Sequence, residues 1–185
     1  MKVLDLDFRY FGAGCCLRER WDHRGKCYQL SMEEMNVNKQ YAIIEYHPKY
    51  ASKTVKMWRD SKEQAIDQKE IHPFENHVYF INHILPERFQ INLAVINEKV
   101  VGLIAYNKTE INQLYIHVDH QGIGIGEALL NIAKKHSSGS LTLYTFEKNK
   151  NAQRFYEKHG FIIIGRGTEN EENLPDILYE WTFKK

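Results

Sequence analysis

The chain has 185 residues, 43% hydrophobic, 12% aromatic and 26% charged, the proportions of one globular domain, which exclude collagen-like, coiled-coil and disordered classes. Lys and Arg total 25 against 24 Asp and Glu, giving a formal net charge of +1 and a pI near 7.7; the electrostatic footprint of a nucleic-acid binder is missing. No apolar run approaches the roughly 18 residues of a membrane helix, and Asp5, Asp7 and Arg9 interrupt any signal peptide, so a cytoplasmic protein with no membrane or nucleic-acid partner is expected.

Residues 1–38 show weak periodicity and read as an N-terminal extension, dispensable to a domain at 39–185; Met35 is a candidate effective start. Cys15, Cys16 and Cys27 are an odd set without zinc spacing despite His23, so free thiols and no metal site are expected. YAIIEY (41–46) is the first clear strand. Two helices follow, roughly Tyr50 to Gln68 and Pro73 to Leu85, the second closed by Pro86. INLAVI and VVGLIAY flank Asn97-Glu98-Lys99 as an antiparallel hairpin, and a third strand lies near Ile111 to Val118.

The period then changes. QGIGIGEALL (121–130) runs three glycines into a helix whose apolar face is Ile125, Ala128, Leu129, Ile132 and Ala133, ended by Ser138-Gly139. LTLYTFE is a strand, NKNAQRFYEKHG a short helix stopped by Gly160, and FIIIG and ILYEWTF are two last strands around the polar loop TENEENLPD. Tyr179, Trp181 and Phe183 share one face of the final strand, which leaves a homodimer open.

A helix start carries unpaired N–H groups and a partial positive charge, so glycines delivered there make a site where backbone touches phosphate. A P-loop requires Gly-Lys-Ser/Thr, whereas Gly126 precedes Glu127-Ala128. A dinucleotide site is the stronger rival, with Glu147 near the ribose-binding position about 20 residues beyond the turn. Its GxGxxG step is absent, however, an antiparallel hairpin precedes the loop, and too little chain follows Glu147 to complete a doubly wound sheet.

Gln121-Gly122-Ile123-Gly124-Ile125-Gly126 resembles the Q/R-x-x-G-x-G/A motif of the GCN5-related N-acetyltransferases (GNATs). Asn149-x-x-Ala152-x-x-Phe155-Tyr156-Glu157-Lys158-x-Gly160-Phe161 resembles their later helix and strand, and the similarity in element order covers residues 41–184. The resemblance implies an α/β (α+β) fold, a mixed, mostly antiparallel central sheet with helices on both faces. It implies acetyl-CoA as cosubstrate, its diphosphate on the N–H groups from Gln121 to Gly126 and its pantetheine along the backbone of Ile116, His117 and Val118. Val118 stands where family members often have Pro.

Direct transfer to an amine requires an acid for the departing thiolate, and Tyr156 is the candidate. Asn149, Ala152 and Tyr156 fall on one helix face, which directs the Asn149 amide and the Tyr156 hydroxyl together toward the cofactor. A core tyrosine is the plainer reading. Glu110 and His117 lie on the cleft strand of the implied fold, and neither is assigned as base. Trp58, Ser61, His72, Phe74, Tyr79, Phe80 and His83 fall in the helices that build the acceptor side in GNATs, at a spacing that also suits a core. The expected function is transfer of an acetyl group from acetyl-CoA to a primary amine of a small molecule or protein. The alternatives are a non-catalytic acyl-CoA sensor and, more remotely, a dinucleotide-binding protein.

Overall fold

A computed structural model describes Glu19–Trp21, Cys27–Gln29 and residues 40–183, and the chain divides into two units, residues 1–39 and 40–185. In the first, β1 (Glu19–Trp21) and β2 (Cys27–Gln29) pair antiparallel, with Trp21 opposite Cys27. The expectations for Cys15, Cys16, His23 and Met35, and for the extension as a whole, lie outside the described residues.

The second unit begins with β3 (Ala42–Glu45) and α1 (Ala51–Ile66), which ends where Asp67 turns left-handed at φ 52°. α2 (Phe74–Tyr79) does not continue regularly to Leu85. It widens into a π turn over Phe80–Ile84, in which the Leu85 N–H donates to the Phe80 carbonyl, and closes in a 3₁₀ turn over Leu85–Glu87. Pro86 supplies the reason: it has no N–H to continue the α ladder, so the chain leaves α geometry before reaching it.

β4 (Gln90–Ile96) and β5 (Lys99–Tyr106) form the expected hairpin, tighter by one residue because Lys99 already pairs with Ile96. The two turn residues Asn97 and Glu98 both have positive φ, 46° and 63°, as a tight antiparallel turn demands. With β6 (Ile111–Ile116) the first sheet has the order β3-β4-β5-β6, antiparallel throughout. After α3 (Ile125–His136), β7 (Ser140–Phe146), α4 (Lys150–Lys158), β8 (Ile162–Gly167) and β9 (Asp176–Thr182) complete the chain. The second sheet is β7-β9-β8, with the last strand in the middle.

Side chains alternate across β5. Val100, Leu103 and Ala105 join the core under α1 and α2, while Val101, Ile104 and Tyr106 join the core shared with α3 and the second sheet. Helices therefore cover both faces. Tyr179 is fully buried and Trp181 packs against that second core beside Lys134, so only Phe183 of the final strand's aromatic face is exposed.

One irregularity seats α3 on the sheet. The β4–β5 register slips between Ala94 and Val95, leaving Val101 as the extra residue of a bulge. Next to it, a Cβ on Gly102 would come within 3.0 Å of Ile116 Cδ1 and 3.2 Å of both Ala94 Cβ and Ile125 Cγ2. Gly102 thus lets the first residue of α3 descend onto β5. Gly102→Val should destabilise the fold by about 1–3 kcal/mol through overpacking, read by urea unfolding.

Candidate functional site

β6 and β7 run parallel but touch only at one end. Glu110 bridges Thr142, whose N–H donates to the Thr109 carbonyl at 2.9 Å, and beyond this bridge no pairing joins the two sheets. The strands open toward their carboxyl ends, where α3 and α4 begin. A cavity of about 1760 Å³ fills the opening and reaches α1 and the β8–β9 loop. A pocket for one small ligand holds roughly 300–1,000 Å³, so this space accommodates two molecules.

The loop before α3 is built by short-range hydrogen bonds. A 3₁₀ turn over Val118–His120 follows β6, the Gln121 N–H donates to the Val118 carbonyl, and the Gln121 side-chain amide donates to the Ile116 carbonyl at 3.2 Å. Gly122 and Gly124 then take φ of 79° and 88°, in the left-handed region that side chains disfavour. α3 starts at Gly124 without a side-chain cap. Among the described residues the backbone N–H groups from Gly122 to Glu127 have no hydrogen-bond partner. Unpaired donors at the positive end of a helix dipole bind anions.

The third glycine has a different reason. A Cβ on Gly126 would meet the Phe155 ring at 3.3 Å, so this position is small because α4 packs against it. Its N–H stays among the unpaired donors.

Of the candidate site residues, Ile116, Val118, Gln121, Gly122, Gly124, Gly126, Asn149 and Tyr156 line the cavity. His117, Ile123 and Ile125 do not. Ile125 is buried in the core and Ile123 points outward, 44% exposed, so each can offer only backbone. His117 is a correction: its N–H donates to Val101 and its carbonyl accepts from His120, leaving no free main-chain group for a ligand. Its ring Nδ1 accepts from the Asp119 N–H at 3.3 Å. Asn149 is a partial correction. Its Oδ1 caps α4 by accepting from the Ala152 N–H at 3.0 Å, and only its amide NH₂ remains for the cavity.

Tyr156 is a core residue that also borders the cavity. Its ring packs with Phe161 and Tyr179 in the core, yet it borders the cavity, and its hydroxyl has no hydrogen-bond partner among the described residues. Burial, reinforced by the neighbouring Tyr115, pushes its pKa well above the usual tyrosine range. The proton is held at any working pH.

On the opposite wall, Trp58, Ser61, His72 and Phe80 reach the cavity. Phe74, Tyr79 and His83 do not, and Tyr79 stacks outward on His83. Glu110 sits at the closed end of the cleft, away from the cavity. Sequence reasoning missed the buried group beside Trp58, in which the Lys62 ammonium pairs with Glu70 at 2.9 Å and with Glu172 of the β8–β9 loop. Tyr115, also missed, packs against Trp58. Lys150 and Lys158 of α4 also line the cavity and make no ion pair among the described residues.

The chain matches the acetyltransferase (GNAT) domain family over residues 59–183 and belongs to that family, a class of N-acetyltransferases. It is 43% identical over 61 residues to a probable N-acetyltransferase of Mycobacterium tuberculosis, Rv2775; the match takes in 32% of this chain and 35% of that protein, about a third of its length. It is 27% identical over 129 residues to the peptidyl-lysine N-acetyltransferase YjaB of Salmonella typhimurium, covering 66% of this chain and 84% of that one. The structure of the PaiA N-acetyltransferase from Thermoplasma acidophilum, in complex with coenzyme A, superposes with a TM-score of 0.59 at 18% identity over 77% of this chain and 99% of that one, which shows a common fold.

The Lys62 group gives a test of this part of the fold. Burial raises the Glu70 pKa, but the Lys62 hydrogen bond and charge outweigh it and hold the carboxyl below its ordinary value. A depressed folded-state pKa stabilises above the unfolded value of about 4.3 and ceases to do so as pH falls through the lower folded value. Lys62→Met, which leaves the buried Glu70 carboxylate only His77 at 3.4 Å and the Ile71 N–H at 3.0 Å, should cost about 3–5 kcal/mol at neutral pH. In thermal melts the gap from the parent protein should narrow as the pH drops below about 4.

Proposed function

We propose that the chain transfers the acetyl group of acetyl-CoA to a primary amine, with the coenzyme's diphosphate on the N–H groups from Gly122 to Glu127 and Tyr156 as the acid. The observation that carries this reading is that the unpaired donors at the start of α3 and the Tyr156 side chain border one cavity large enough for two substrates. Lys150 and Lys158 supply positive charge for the coenzyme's remaining phosphate. Backbone alternation leaves the Ile116 N–H facing into the cleft, away from β5, where an extended pantetheine chain would pair as a strand does.

The chemistry is direct. A neutral amine attacks the thioester carbonyl, the N–C bond forms and the C–S bond breaks, and the thiolate takes the Tyr156 proton. The proton lost from nitrogen restores Tyr156 by way of solvent. A tyrosine whose burial keeps it protonated holds that proton until a thiolate forms beside it. An acyl-CoA sensor would require the same anion cradle and no acid, so a tyrosine hydroxyl without a partner at the same cavity favours turnover. The dinucleotide alternative is disfavoured by the antiparallel first sheet. We read the protein as a cytoplasmic enzyme for which residues 1–38 are dispensable.

Acetyl-CoA should raise the melting temperature and NAD should not. Tyr156→Phe should lower kcat by about 10²–10⁴-fold with acetyl-CoA affinity unchanged in calorimetry; parental turnover would remove Tyr156 from the acid role. Deleting residues 1–38 should leave the acetyl-CoA thermal shift and the turnover intact, and loss of either would show that the extension belongs to the working domain.

A further inference from the structure

Ile162-Ile163-Ile164 is a continuous run of β-branched apolar residues, the pattern of a strand buried on both faces. β8 does not meet that expectation. It forms the outer edge of the second sheet, paired on one side with β9 and, among the described residues, with no strand on the other. The three isoleucines are 63%, 42% and 47% exposed. Ile162 stands opposite Glu180 and Ile163 opposite Tyr179, so the two point to opposite faces, and neither face is covered at this edge. A slip of register leaves Ile164 without a partner on β9.

These side chains are not scattered singly. Of the nine exposed large apolar side chains among the described residues, five lie in or next to the second sheet: Tyr144, the three isoleucines and Phe183. Such a concentration marks a contact surface. Edge strands are ordinarily protected by proline, by outward charge or by a bulge. β8 has no proline, and its one charge, Arg166, reaches across β9 to pair with Glu147 beyond β7, away from the free edge. The bulge remains, and the residue it leaves unpaired is again apolar.

We propose that a second copy of the chain covers this edge, its β8 pairing antiparallel with the first about a two-fold axis, so that two three-stranded sheets become one. The inference goes beyond the transferase reading and rests on the second sheet alone. Strand addition supplies main-chain hydrogen bonds to the outer N–H and C=O groups of both copies, and the isoleucines gain cross-strand partners on each face. The same strand serves both sides of the contact, as a two-fold interface requires. Charge selects the direction. Lys158, shortly before the strand, and Glu169, shortly after it, have no ion-pair partner among the described residues. Antiparallel pairing sets the cationic end of each copy beside the anionic end of the other, whereas parallel pairing would set like against like. This complementarity of the strand with itself favours a second copy over a foreign segment.

Sedimentation equilibrium of the full chain should give twice the chain mass, and amide hydrogen exchange at residues 162–167 should slow as the dimer forms. Ile163→Lys and Ile164→Lys change exposed positions, so each should return the chain to a monomer while keeping the parental circular dichroism spectrum. Glu169→Lys should raise the dimer dissociation constant by about tenfold through two like-charge contacts, and adding Lys158→Glu should restore it. A monomeric parent chain, lysine variants that stay dimeric, unchanged exchange at residues 162–167, or a double variant no tighter than Glu169→Lys alone would overturn the proposal. Dimerisation only after removal of residues 1–38 would do the same, with that segment as the cover.

Discussion

The separation of β6 from β7 is the constraint on which the site depends. Two parallel strands joined by a helix ordinarily pair along their length, and here they pair only at Glu110 and Thr142. Past that bridge each strand presents an unpaired inner edge, and the space between opens at their carboxyl ends, where α/β sheets generally take ligands. Because α3 leaves from the end of β6 and α4 from the end of β7, both helix starts come to the same mouth. The unpaired N–H groups at the start of α3 and the Tyr156 side chain meet there as a consequence of topology, although their segments are separate in the chain.

Holding that mouth open requires α3 to sit close to the sheet. The bulge at Val101 and the missing side chain at Gly102 bring Ile125 down onto β5, and Gly126 lets α4 approach from the other side. The glycines at Gly122 and Gly124 act differently, through positive φ, by turning successive N–H groups outward. Glycine therefore serves packing at two positions and backbone conformation at two others. A side chain at Gly102 or Gly126 would crowd its neighbours, whereas one at Gly122 or Gly124 would strain the backbone.

This division bears on how much of the molecule is legible in its sequence. The hairpin, the order of strands and helices, and the glycine-rich start of α3 are local patterns, and they read correctly. The reason for Gly126 is not local, since Phe155 lies on another helix, and Gly102 carries no signal inside an apolar strand. The π turn before Pro86 arises from a broken ladder that apolar spacing does not report. Lys62 and Glu172 are 110 residues apart, and neither pattern nor period announces their pairing. His117 lies between two residues that border the cavity, which makes it a ligand contact by sequence; the alternation of strand pairing, with its N–H committed to Val101, puts it on the wrong side. For Asn149 the helix face predicts a side chain aimed at the cofactor, whereas capping chemistry decides which of its atoms is available.

The inner edges of β6 and β7 raise a problem that the loop itself addresses. An unpaired strand edge invites pairing with another chain. Gln121 covers the Ile116 carbonyl with one exposed side-chain hydrogen bond, worth about 0.5–1.5 kcal/mol net. A ligand amide lying along β6 can replace that bond with one of its own, and the long Gln121 side chain can swing away without moving the backbone. The residue that opens the glycine motif thus covers the strand edge with its own side chain. A shorter side chain at this position would leave the carbonyl bare, whereas a buried partner would hold it closed.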